Sequence, residues 1–139
     1  MADLLDWIAA ETAYDVSAIR DDPPAVTFCD RGDAIFYEDL EVLVGDDIFG
    51  LYDAHRRRIV LVRPWDAADP RDRGVLLHEL VHRVQLANRS WDCLSAPEYE
   101  AYTLQARYLE QHGIDPGFDW LHIYFLSKCP VDIHPSQTP

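Results

Sequence analysis

Between Asp69 and Leu86 the chain reads DPRDRGVLLHELVHRVQL, and this stretch constrains the fold more than any other. Asp69 suits a helix amino-terminal cap, and Pro70 suits the first helical position, where a missing amide hydrogen costs nothing. The spacing predicts a helix from Pro70 to about Ala87. Its apolar residues, Val75, Leu76, Leu77, Leu80, Val81, Val84 and Leu86, go nearly all the way round. A helix apolar on every side is a buried one, so other elements must wrap it. Yet the same span carries His78, Glu79 and His82.

Each helical residue advances about 100°, so His78 and His82 stand roughly 40° apart on one face, one turn above the other. Both imidazoles can then point at one ion. Glu79 projects about 100° round from His78, outside that ligand face but within reach of a water beside the ion. This is the arrangement HExxH chemistry needs: two nitrogen ligands, plus a carboxylate that takes a proton instead of coordinating. Three fixed positions recur by chance in helical proteins. Burial adds weight to the pattern, because each such polar group left without a partner costs on the order of 1–3 kcal/mol, and one ion with its water would satisfy all three.

A catalytic zinc takes three protein ligands and leaves a fourth position open. The segment SWDCLSAPEYEAYTLQARYLEQHG predicts a helix over 96–112, with Ser95 as cap, Pro97 inside the start and Gly113 just past the end. On it Glu98 shares a side with Ala101, Tyr102, Leu104, Gln105, Tyr108 and Leu109, the buried face, and small Ala101 permits close approach to a neighbour. Glu100 falls about 200° away, beside Thr103, Arg107 and Glu110, on the solvent side. Glu98 is therefore the candidate third ligand and Glu100 the alternative. Ser95 followed three residues later by Glu98 also spells a capping box, which would use that carboxylate locally.

The remaining elements suit an α+β domain. Asp3 to about Ala13 reads as an amphipathic helix, AVTFC at 25–29 as a strand, and RGDAIFYEDL as a short helix. Two apolar runs near 48–52 and 58–63, linked through Ala54, His55 and Arg56, read as a hairpin ended by Pro64. A last helix, capped by Asp115 and started by Pro116, should bury Phe118, Leu121, Phe125 and Leu126 before a loose tail from about residue 130. His122 shares that apolar face and reads first as a core histidine, second as a site residue. His55, His112 and His134 read as surface histidines. With 139 residues, 48% of them hydrophobic, and no repeat or internal linker, one domain over 1–139 is expected.

Twenty-five acidic against 12 basic residues give a net charge of −13, which repels phosphate backbones and anionic lipid. Nucleic-acid and membrane-surface partners are therefore not expected. No run of 18 apolar residues occurs, and MADLLDWIAAETAYD is acidic where a signal peptide is basic. A cytoplasmic chain with reduced, packed thiols is the expectation. Cys29, Cys93 and Cys129 lack CxxC spacing, which excludes a zinc ribbon but leaves one disulfide open.

HELVH at 78–82, followed by APEYEAYTLQ at 96–105, resembles a small gluzincin, a zinc metallopeptidase whose third ligand is a glutamate on a following helix. The likeness covers roughly residues 48–110. It implies a zincin-like fold, with a small, mainly antiparallel sheet packed on the buried active-site helix and on the glutamate-bearing helix. One Zn²⁺ would be held by His78, His82 and Glu98, with Glu79 as general base and a peptide or protein as substrate. The downstream motif of that family places alanine and then aspartate or asparagine after the glutamate. Here Ala101 matches and Tyr102 departs, which makes the Tyr102 hydroxyl the candidate contact to a ligand histidine. The likeness further implies a strand edge that holds extended peptide, for which RRIVLV is the natural candidate. Tyr99, Tyr102, His122 and Tyr124 all stand as candidate oxyanion donors. The alternative is a non-catalytic zinc-binding regulatory or interaction module, which a fourth protein ligand such as His122 would favour.

Overall fold

The computed structural model describes residues 1–130, so the expected tail and His134 lie outside the described residues. It is a small α+β fold. In chain order the elements are α1 (Ala2–Glu11), α2 (Ser17–Asp21), β1 (Ala25–Cys29), β2 (Ala34–Tyr37), β3 (Leu40–Leu43), β4 (Gly50–Asp53), β5 (Arg58–Val62), α3 (Pro70–Asn88), α4 (Glu98–Gln111) and α5 (Trp120–Leu126). The long helix α3 lies at the centre, with α4 along one side, α1 and α2 over its other faces, and β4 and β5 beneath it. Asp69 caps it as expected, accepting from the Arg71 amide at 2.9 Å. Leu76 to Val81 form an unbroken buried run.

The three-stranded sheet runs β1-β5-β4, with β1 parallel and β4 antiparallel to β5. It is thus mixed, where a mainly antiparallel sheet was expected. The long connection between Cys29 and Arg58 supplies the crossover that a parallel neighbour needs. β5 is consequently central, and the expectation that its edge is open for peptide is wrong: the edges belong to β1 and β4, of which β4 packs against α3. Ile59 and Leu61 of β5 join the main core with Leu77 and Leu80, while Val60 and Val62 pack with Cys29 and Val44 on the other face. Cover on both faces explains a continuous apolar run in place of alternation.

The segment read as a short helix is instead the hairpin β2-β3, a separate two-stranded sheet. Its two-residue turn, Glu38-Asp39, takes φ of 50° and 64° at both positions. That is the twist-matched hairpin turn, ordinarily written with Asn, Asp or Gly, and here its first position carries Glu38, a helix former. Contacts to the β4-β5 turn offset the strain. Glu38 accepts from the Ala54 amide at 2.7 Å, and His55 stands between Glu38 (3.1 Å) and Asp39 (2.9 Å).

Two helix ends also differ. α4 begins at Glu98 with Pro97 as its cap residue, and no side chain caps it, so the Ser95 capping box does not form. α5 is capped by Asp119, which accepts from the His122 amide at 3.1 Å, whereas Asp115 serves a preceding turn. Of its residues only Ile123 is buried; Leu121, Phe125 and Leu126 are exposed, contrary to expectation. A Cys93–Cys129 disulfide ties the end of α5 to the loop before α4, which replaces the expectation of three reduced thiols; Cys29 is free and buried. α1 lies across α3 and α4: Trp7 Nε1 donates to Gln111 (2.8 Å), Gln111 donates to Glu11 (3.0 Å), and Arg73 pairs with Asp3. No helix among the described residues is long and apolar enough to cross a membrane.

Candidate metal centre

His78 and His82 project from one face of α3 with ring centroids 4.8 Å apart. Because Ser95 leaves Glu98 unused, its carboxylate reaches across from the first turn of α4 to the Nε2 atoms of both imidazoles. Oε2 lies 3.2 Å from His78 Nε2, and Oε1 lies 2.7 Å from His82 Nε2. Small residues set the helix spacing: Ala101 is fully buried, and a Cβ at Gly74 would meet Leu109 at 3.2 Å. Ligand-capable atoms of His78, Glu79 and His82 lie within 4.8 Å of one another.

The imidazole nitrogens on the far side fix which nitrogen faces the cluster. His78 Nδ1 is 2.9 Å from Gln105 Oε1, and His82 Nδ1 is 2.9 Å from Gln85 Oε1. A carboxamide oxygen only accepts, so each Nδ1 carries its hydrogen and each Nε2 is the nitrogen available to an ion. The donor set is therefore two imidazole nitrogens and one carboxylate, which is a set that zinc takes. The residues present fit such an ion.

Electrostatics separate the two carboxylates. Burial pushes Glu98 up, but its hydrogen bonds with His78 and His82 and their charges outweigh this and hold it well below the usual carboxylate range. Glu79 is raised, because burial outweighs the attraction of His78 and His82 and Glu98 adds repulsion. His82 is opposed by burial, yet its hydrogen bond to Glu98 and the charges of Glu79 and Glu98 carry it to about 9. Glu79 is 8% exposed, hydrogen-bonds to neither histidine, and lines a cavity of about 460 Å³. Across that cavity stands β4, where a Cβ on Gly50 would meet Glu79 Oε2 at 3.3 Å and Val75 at 3.0 Å.

The structure thus brings His78, Glu79, His82 and Glu98 together. Tyr102 contributes its ring, 4.4 Å from His78 between centroids, while the polar contact to that histidine comes from Gln105. His122 is exposed on the cavity wall, not in the core. Tyr99 and Tyr124 lie outside the cavity lining, against each other, with Tyr99 also against Trp120. Glu100 does not reach the imidazoles and is not on open solvent either, for it accepts from Tyr14 and Gln85. Gln85 and Gln105 went unread as site residues. The available signal was a carboxamide one turn after His82, and another on the same arc as Glu98. Tyr37, also on the cavity wall, was hidden by the misread hairpin.

By fold and side-chain chemistry this is a small α+β protein with a buried histidine and glutamate cluster able to hold a metal ion. The chain belongs to the family described as domain of unknown function DUF6647, whose profile matches residues 1–136. Neither the curated proteins nor the solved structures offer a match.

Proposed function

We propose that the chain is a zinc-dependent hydrolase, a metallopeptidase of the gluzincin type on a zincin-like version of this α+β fold, with Glu79 as general base. The observation that carries this reading is the unequal treatment of two neighbouring carboxylates. Glu98 is held between both imidazoles, whereas Glu79, buried beside them, keeps its oxygens for the cavity. His78, His82 and Glu98 would hold the ion. When bound, zinc supplies Lewis acidity, polarising a carbonyl and making a water easier to deprotonate near neutral pH.

The chain's own residues supply the rest. Glu79 accepts the proton of the attacking water and returns it to the leaving amine. The free edge of β4 takes an extended peptide as an added strand, with Gly50 keeping the backbone close to Glu79. Tyr37 and Tyr102, each raised to about 12 chiefly by burial with Glu79 and Glu98 adding to the rise, stay protonated and can donate to a developing oxyanion. Metal content of protein purified without added metal, with cleavage of a peptide library in the presence and absence of chelator, tests the reading. About one zinc per chain and chelator-sensitive cleavage are expected. Glu79→Gln should keep the zinc and lose roughly 10²- to 10⁴-fold in rate. Protein without zinc would sink the proposal, and zinc with no cleavage of any peptide would favour the non-catalytic module.

A further inference from the structure

Behind His82, on the side away from the cavity, a buried polar chain continues outward. Gln85 has no exposed surface. Its Nε2 donates to the Pro97 carbonyl at 3.0 Å and to Glu100 Oε1 at 2.9 Å, and the same Glu100 oxygen accepts from the Tyr14 hydroxyl at 2.5 Å. Two acceptors on its nitrogen leave the Gln85 carboxamide no choice of orientation, so its oxygen must face His82 Nδ1. Tyr14 lies between α1 and α2, Glu100 on α4 and Gln85 on α3, so three separate parts of the chain join in one hydrogen-bonded chain that ends at His82.

Resting on the metal reading above, we propose that Gln85 and Glu100 are positioning residues for metal binding: Glu100, steadied by Tyr14, locks Gln85, and Gln85 holds His82 with its hydrogen on Nδ1 and Nε2 toward the ion. Partners of this kind on a ligand histidine are worth roughly 10- to 100-fold in metal affinity. Glu100 does this without touching the ion. The charge of Glu100 is then dispensable and its accepting oxygen is not, which separates positioning from ligation.

Zinc affinity measured by competition with a chromophoric chelator, on the full chain and with thermal unfolding of each metal-free variant recorded alongside, tests the idea. Gln85→Leu and Glu100→Leu should each weaken zinc binding by roughly 10- to 100-fold. Glu100→Gln, which keeps an oxygen for both donors, should stay within about threefold of the parent, and Tyr14→Phe should fall between. In zinc-loaded protein the His82 Nδ1 hydrogen should be protected from exchange in the nitrogen-15 spectrum, and lose that protection in Glu100→Leu. The Glu100 pair keeps the test decisive if Gln85→Leu fails to fold. Equal affinity in the parent and Glu100→Leu overturns the proposal while leaving the metal site standing. Loss in Glu100→Gln as deep as in Glu100→Leu overturns it in favour of Glu100 as a ligand. A parent chain that binds no zinc overturns both readings.

Discussion

Asp53 has no exposed surface and yet stays ionised. Burial pushes its carboxyl up, but hydrogen bonds from the Arg56 side chain (2.9 Å) and amide, with the charges of Arg56 and Arg58, outweigh this and hold it below the ordinary value. A depressed acid stabilises the fold fully at pH above about 3.9, the unfolded value, and that contribution is lost as pH falls through the lower folded one. Asp53→Asn should therefore cost about 2 kcal/mol in urea unfolding at pH 7, with the gap to the parent closing in strong acid. An equal gap at pH 7 and at pH 2 would show that the charge does not hold this turn. Gly50 calls for a different measurement. A methyl there must displace Val75 or Glu79, so Gly50→Ala should lose about 1–3 kcal/mol and, beyond that, lose turnover at saturating peptide while zinc content is kept. Unchanged turnover would mean that Glu79 has room to move without consequence.

The histidine pair and Glu98 were legible because helical spacing alone puts them on facing sides of two well-signalled helices. Elements whose signals compete were not. Glu38 has helical propensity but sits with Asp39 in a left-handed turn held by Ala54 and His55, contacts no local window contains. Ser95 and Glu98 spell a cap, but Glu98 gains more from two buried imidazoles than from one backbone amide. α5 is weakly anchored, with Ile123 as its one buried residue and the Cys93–Cys129 bridge at its end. Closing a loop of 36 residues stabilises by about 3–4 kcal/mol in the chain-entropy account. Reduction should accordingly speed amide exchange in α5 while α3 and α4 stay protected, as read by hydrogen exchange with and without reductant. Uniform loosening of all three helices would mean the bridge supports the core instead. A bridge of this kind persists under oxidising conditions, so the thiols lend no support to a cytoplasmic location.

The cavity has no Lys or Arg among its described lining residues, while Asp47 and Asp119 stand exposed on its walls, neither in an ion pair among the described residues. With −13 overall, the field at the mouth attracts cations and repels anions. A peptide with lysine or arginine near the cleaved bond should show kcat/KM roughly tenfold above its glutamate counterpart at low salt, the gap shrinking as salt rises to about 0.5 M. Equal values at every ionic strength would remove the field from the account of substrate choice. The charge and the apolar helix were both plain in the sequence; how far apart their partners lie along the chain was not. Trp7 meets Gln111, 104 residues later, and Arg73 meets Asp3. During synthesis α1 leaves the ribosome before the surface it rests on has been made, so the apolar face of Leu4, Leu5 and Ile8 must wait uncovered until α3 and α4 have followed. Helix α1 thus finds its place only after elements made long after it, and a nascent chain stalled before α4 is a form of this protein with much to gain from a chaperone.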